Sequence, residues 1–265
     1  MLGAIYGDAV GSVYEFANTT DYNFKMTPNM HLTDDSVCTL AVANTLLNGV
    51  PIVESLLDFC RAISASKAGF GGRFGWWLSS PDRKPYGSFG NGAAMRVSPA
   101  GWAAATEEEC KAMSRAVTEC THNHREGVKG AEAIAVTVFR LRSATGEEQK
   151  RAIVDEALRA YYPSFSERDM EACRGVFDET CQRTVPTALR IFRASASFED
   201  AVRLAVSFGG DSDTLGAIVG SLGEAFYGMT DEQRRFALGK TAAEHEEWAR
   251  LVTLFEERYG KRIAS

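Results

Sequence analysis

The chain of 265 residues has only seven prolines and no stretch of 18 uninterrupted apolar residues. The first shortage argues against a linker-rich or polyproline architecture, the second against a membrane-spanning helix. Positive charge is also short: 29 lysines and arginines stand against 35 acids, giving a net charge of −6. Such a surface does not suit contact along a phosphate backbone, so no nucleic-acid partner is expected. A small anion still fits, because backbone amides and metal ions bind anions inside acidic proteins. There is no CxxC pair. The six cysteines (Cys38, Cys60, Cys110, Cys120, Cys173, Cys181) fall mostly in apolar helical stretches, the pattern of reduced, buried thiols. No basic leader precedes Gly7-Asp8, so the cytoplasm is the expected location, without membrane association. Sustained two-residue alternation and hairpin-type Asn-Gly turns are missing as well, which argues against sheets.

What is present is helical periodicity in a chain that is 45% hydrophobic and 24% charged, a globular balance able to build a core without disulfides. Ser36 to Leu47 predicts a strongly apolar helix opened by two acids. Pro51 starts a second pattern, and Thr106 followed by Glu109 has the spacing of a capping box. Further helices are predicted over residues 126–142, from Ser197 and Asp200 onward, and over residues 241–259. No repeat or compositional boundary divides the chain. The expectation is one all-α domain over residues 1–265, present as a monomer.

Four segments are unusual for a helical bundle: Gly7-Asp8-Ala-Val-Gly11 through Glu15, Thr33-Asp34-Asp35, the glycine loop Gly87 to Gly92, and Gly209-Gly210-Asp211-Ser212-Asp213-Thr214. Asp34, Asp35, Asp211 and Asp213 adjoin apolar helices that must pack into a core, so burial requires them to be paired, capping or metal-bound. Capping alone needs one acid per helix start. Two acids with a flanking threonine, at two helix starts, exceed that need, and Gly209-Gly210 permits a turn that brings side chains together. The donors are all oxygens, which suits hard cations such as Mg²⁺, Mn²⁺ or Ca²⁺, about two of them for four or five carboxylates. Both readings, caps and metal ligands, stand on the residues alone.

Other motifs fail. Gly239-Lys240-Thr241 lacks the upstream glycine of a phosphate-binding loop, since Arg234 occupies its place. His245-Glu246 has no second histidine at 249, and no GxSxG elbow occurs.

Taken in order, Gly7-Asp8-Ala-Val-Gly11 through Glu15, Thr33-Asp34-Asp35-Ser36, Gly90-Asn91-Gly92-Ala-Ala-Met95-Arg96, Thr121-His122 and Gly209-Gly210-Asp211-Ser212-Asp213-Thr214 resemble the ADP-ribosylglycohydrolase family. Ser36 and Ser212 stand where many members have threonine, keeping a hydroxyl. The resemblance implies an all-helical orthogonal bundle with a binuclear Mg²⁺ (or Mn²⁺) cleft. Thr33, Asp34, Asp35, Asp211, Asp213 and Thr214 would be metal ligands, with Asp34 and Asp213 central to catalysis. Glu15 would be the acid beside the metals, acting as base or orienting water; otherwise it is a structural acid at a helix end. Gly87, Ser88, Phe89, Gly90, Asn91 and Gly92, with Met95 and His122, would contact the nucleotide; otherwise the loop is a helix-entry turn and His122 is structural. Asp8 is expected to hold the N-terminal segment. Phe16, Tyr22 and Phe24 are possible lid contacts, and residues 17–32 and 66–86 are the expected cleft loops. The implied reaction is hydrolysis of the bond between ADP-ribose and a modified protein side chain, most plausibly arginine. Serine-linked ADP-ribose, a small ADP-ribose derivative, a dimetal pyrophosphatase or a non-catalytic ADP-ribose binder are the alternatives.

Overall fold

The computed structural model describes residues 1–260; the last five positions of the expected domain lie outside them. All regular structure among the described residues is helical, apart from one antiparallel bridge between Gly90 and Thr180. The capping signals act as the sequence predicts. Thr106 accepts the Glu109 N–H at 3.1 Å and opens the helix Glu107–Thr118. Ser197 accepts the Asp200 N–H at 3.1 Å and opens Phe198–Phe208. The helix expected from Ser36 runs Asp34–Asn48 and ends at Gly49, whose φ of 71° is left-handed. Pro51 precedes Ile52–Ala62, and the helix expected over 126–142 runs Arg125–Leu141.

The continuous helix expected over residues 241–259 is instead the junction of two. Extended backbone at His245 separates Asp231–Glu244 from Glu246–Tyr259. The break lets the second helix turn Trp248, Leu251, Val252 and Phe255 inward against Asp34–Asn48. Leu2–Gly11, Gly146–Tyr161 and Cys181–Ala194 complete the longer helices. Leu2–Gly11 gave no periodic signal because every one of its residues is buried, so it has no polar face.

Two central helices, Leu2–Gly11 and Ser212–Tyr227, carry the layout of the molecule. The flanking helices Phe198–Phe208, Arg125–Leu141, Asp34–Asn48 and Asp231–Glu244 pack around this pair. Buried apolar side chains from Met1 to Phe255 form one continuous cluster. Gly3, Gly7 and Gly11 face Gly220, Gly216 and Ser212 so closely that the helices touch backbone to backbone. A β-carbon on Gly7 would overlap the Gly216 carbonyl, and one on Gly3 would come within 2.6 Å of Glu224 Cβ.

Gly7→Ala should therefore force the helices apart. Overpacking of this kind costs about 2–3 kcal/mol, a fall of roughly 4–10 °C in Tm. Gly239→Ala, an exposed position inside a helix with nothing within 4 Å of the added carbon, should hold or raise Tm. Equal shifts for the two variants in a thermal melt would refute the close contact.

Candidate active site

The backbone contact sets four helix and turn ends against one another. Asp8, fully buried, accepts hydrogen bonds from the Thr33 N–H (3.0 Å), the Thr33 hydroxyl (2.7 Å), the Ser36 N–H (3.2 Å) and the Ser36 hydroxyl. It thereby ties the first helix to the start of Asp34–Asn48. Thr33 is the N-cap there, accepting the Asp35 N–H at 3.3 Å. Asp35 Oδ2 accepts from the Thr214 hydroxyl at 3.2 Å, across 179 positions of chain. Its other oxygen, Oδ1, is buried with no hydrogen-bond partner.

The opposing turn depends on two glycines with positive φ, 77° at Gly209 and 85° at Gly210. Asn18 clamps it: the side-chain oxygen accepts the Gly210 N–H at 2.6 Å, and the amide donates to the carbonyls of Gly210, Tyr14 and Glu15. Glu15 is thus held beside Asp211 and Asp213. Asp211 accepts from the Asn91 amide at 2.7 Å.

Carboxylate oxygens of Asp8, Asp35 and Asp213 lie within 4.8 Å of one another, as do those of Glu15, Asp211 and Asp213. The two trios share Asp213. Asp34 is in neither; it borders the same cavity beside Gly69, where a β-carbon would sit 2.9 Å from Asp34 Oδ1. Burial, and then the charges of neighbouring groups, hold Asp34, Asp35, Asp211 and Asp213 well above the usual carboxylate range. Glu15, only half-buried, is pushed up to about 7 by burial and by the charges of Asp211 and Asp8.

These acids form one wall of an open cavity of about 840 Å³. The other wall includes Gly71, Arg73, Tyr86, Met95 and His122, with Ser88 and Gly90 to Gly92 of the glycine loop. The loop is fixed on both sides: Asn91 N–H donates to Glu179 O at 2.6 Å, Cys181 N–H to Phe89 O at 3.0 Å, and Gly87 N–H to Asn123 Oδ1 at 2.7 Å. The amides of Ser88 and Gly90 are also engaged within the protein, which leaves those of Phe89 and Gly92 without an acceptor among the described residues. Of the sequence-predicted residues, Thr33, Gly87 and Phe89 do not line the cavity. Thr33 is occupied by Asp8, and the Phe89 ring packs edge-on against His124 at 5.3 Å.

His122 is poised by a relay. Arg96, buried, donates to Thr121 Oγ1 at 2.8 Å, and that hydroxyl is hydrogen-bonded to His122 Nδ1, also at 2.8 Å. Burial and the charges of Arg96 and Arg73 keep the imidazole well below its ordinary value, hence neutral. Nε2 lies against Gly92, where a β-carbon would sit 3.2 Å away.

Tyr22 and Phe24 are not lid residues. The Tyr22 hydroxyl donates to Asp200 at 2.6 Å, and Phe24 is buried beneath Arg203; both are anchored on the helix Phe198–Phe208. Phe16 alone reaches the mouth, stacked on Phe177. Arg73 and Tyr86 fall in the expected cleft loop 66–86. Asn18, Phe177 and Glu179 were not singled out from sequence, since no motif or periodicity marks them.

A family model described as ADP-ribosylglycohydrolase matches residues 1–261. ADP-ribosyl-[dinitrogen reductase] glycohydrolase of Rhodospirillum rubrum is 27% identical over 256 residues, covering 87% of this chain and 85% of that protein. A solved structure described as an ADP-ribosylglycohydrolase-related protein complex matches with a TM-score of 0.66, covering 97% of this chain and 96% of that one at 24% identity, a likeness of fold. No helix among the described residues is long and apolar enough to cross a membrane. With its helical fold and nearly its whole length matched, the chain belongs to the ADP-ribosylglycohydrolase family and is a hydrolase.

Proposed function

We propose that residues 1–265 form a single catalytic domain that hydrolyses the glycosidic bond between ADP-ribose and an arginine side chain of a modified protein, with two divalent cations, Mg²⁺ or Mn²⁺. The observation that carries this reading is the pair of carboxylate trios sharing Asp213 beside an open cavity. The donor set is oxygen only, and Asp35 Oδ1 has no partner within the protein, so the residues fit hard cations. Asp35 and Asp213 would hold them, with Asp34, Asp211 and the hydroxyl of Thr214; Thr33, expected as a ligand, is instead engaged by Asp8. A bound cation pair would supply Lewis-acid chemistry and neutralise the acid cluster.

The chain's own groups do the rest. Breaking the bond at the anomeric carbon develops positive charge on the ribose ring. Glu15, with its affinity for protons balanced near neutrality, takes a proton from water or gives one to the leaving group. The amide of Gly92, the His122 ring and Arg73 favour the diphosphate, while Ser88, Gly90, Asn91 and Met95 shape its seat.

Release of ADP-ribose from arginine-modified protein should require Mg²⁺ or Mn²⁺ and stop in EDTA. Asp213→Ala should lose both turnover and calorimetric Mg²⁺ binding. Glu15→Gln should lose about 10²–10⁴-fold in kcat with Mg²⁺ binding retained. Full turnover in EDTA would overturn the metal assignment.

The acids also link pH to stability. Their values in the folded protein are raised, so the fold binds more protons than the unfolded chain from about pH 4 upward, to about 7 in the case of Glu15. Stability without metal should therefore fall as pH rises through that window. In EDTA, Tm should drop between pH 5 and 7.5, and saturating Mg²⁺, which binds the ionised carboxylates, should flatten the slope. Parallel curves with and without Mg²⁺ would count against the site.

A further inference from the structure

The cavity has two electrically distinct ends. Arg73, stacked 5.0 Å over the Tyr86 ring, and Arg96 bear on His122, whereas Glu179 bears on Glu15 and Asp211. Beside the acidic end, Phe16 is 81% exposed and Phe177 46% exposed, their rings stacked with centroids 5.7 Å apart and planes 27° from parallel. Phe177 lines the cavity. The Glu179 backbone is held by the bond from Asn91 N–H, and its side chain reaches toward the opposite rim, where a β-carbon on Gly71 would lie 3.7 Å from Oε1. Its carboxylate has no hydrogen bond or ion pair among the described residues, yet its negative charge bears on both Glu15 and Asp211.

We infer that this mouth is a guanidinium-binding subsite, in which the Phe16–Phe177 ring pair and the Glu179 carboxylate receive the arginine side chain that ADP-ribose leaves. The inference rests on the arginine-linked reading above. A phenyl face attracts a planar cation, and arginine stacks on aromatic rings while offering donors to carboxylates. An unpaired carboxylate facing two other acids is relieved by a cation and worsened by a phosphate. Adenine would stack on the same rings, but the diphosphate attached to it would then be drawn toward the acids. The charge pattern instead seats the nucleotide toward Arg73 and leaves the rings to the cationic end of the substrate.

The test uses the full chain with Mg²⁺ and peptides carrying ADP-ribose on arginine or on serine. Phe177→Ala and Glu179→Gln should each raise KM for the arginine-linked peptide by about tenfold, with kcat changed by less than threefold. Affinity for free ADP-ribose, by calorimetry, should stay within twofold, and Phe177→Tyr should restore KM. Unaltered KM in both variants overturns the subsite, as does weakening of ADP-ribose binding in parallel with KM, which would give the rings to the nucleotide. Wild-type protein that leaves the arginine-linked peptide intact refutes the arginine reading itself. Wild-type cleavage with indifferent variants refutes only the subsite.

Discussion

Where Leu2–Gly11 meets Ser212–Tyr227, glycines on both sides remove the side chains that normally keep helices 8–10 Å apart. The contact is more than dense packing. Asp8 projects from the first helix and Asp213 from the first turn of the second, so their oxygens share a 4.8 Å trio with Asp35 only because the backbones meet. The chain leaves the first helix at Ser12 and reaches Glu15 three residues later, already beside Asp211. Widening this one contact would therefore separate both trios together, although no glycine carries any of the chemistry.

The same wall shows how a fold keeps several acids together. Asp8 is saturated, with four donors around two oxygens, and that environment opposes the cost of its burial. Asp35 is treated differently: one oxygen takes the Thr214 hydroxyl, the other has no partner among the described residues. A buried orphan of this kind costs about 1–3 kcal/mol, a sizeable part of a stability of roughly 5–15 kcal/mol. Satisfied and unsatisfied carboxylates thus stand a few ångströms apart, one organising helix ends and the other open to a ligand.

Much of this was legible in the sequence, for identifiable reasons. Capping residues act locally, so Thr106 with Glu109 and Ser197 with Asp200 declared their helices. Acids placed against apolar helix starts declared a buried polar site, and Gly209-Gly210 a turn that other residues could not make. The helix Leu2–Gly11 was hidden because complete burial erases amphipathic periodicity, and the break at His245 because its cause is tertiary, the inward turn of Trp248. Asn18 was hidden because an exposed asparagine in a loop is ordinary until its amide is seen holding the Gly210 turn to Tyr14 and Glu15. The fixation of the glycine loop has no sequence signal either: Glu179, Thr121, Asn123 and the Ser88 side chain take four of its six amides.

The division between helix-borne and loop-borne groups bears on what a family name conveys. Asp8, Asp35 and Asp213 sit on helices whose packing allows little movement, so the chemistry they support follows from the fold. Phe16, Phe177 and Glu179 sit on connecting segments, held by a ring stack and a single backbone bridge. Such segments can change without disturbing the core, which is why recognition so often resides on them. Under the proposed function, the bond broken is therefore set by helix ends brought together by glycine, and the side chain from which ADP-ribose is removed by a handful of loop residues at the rim.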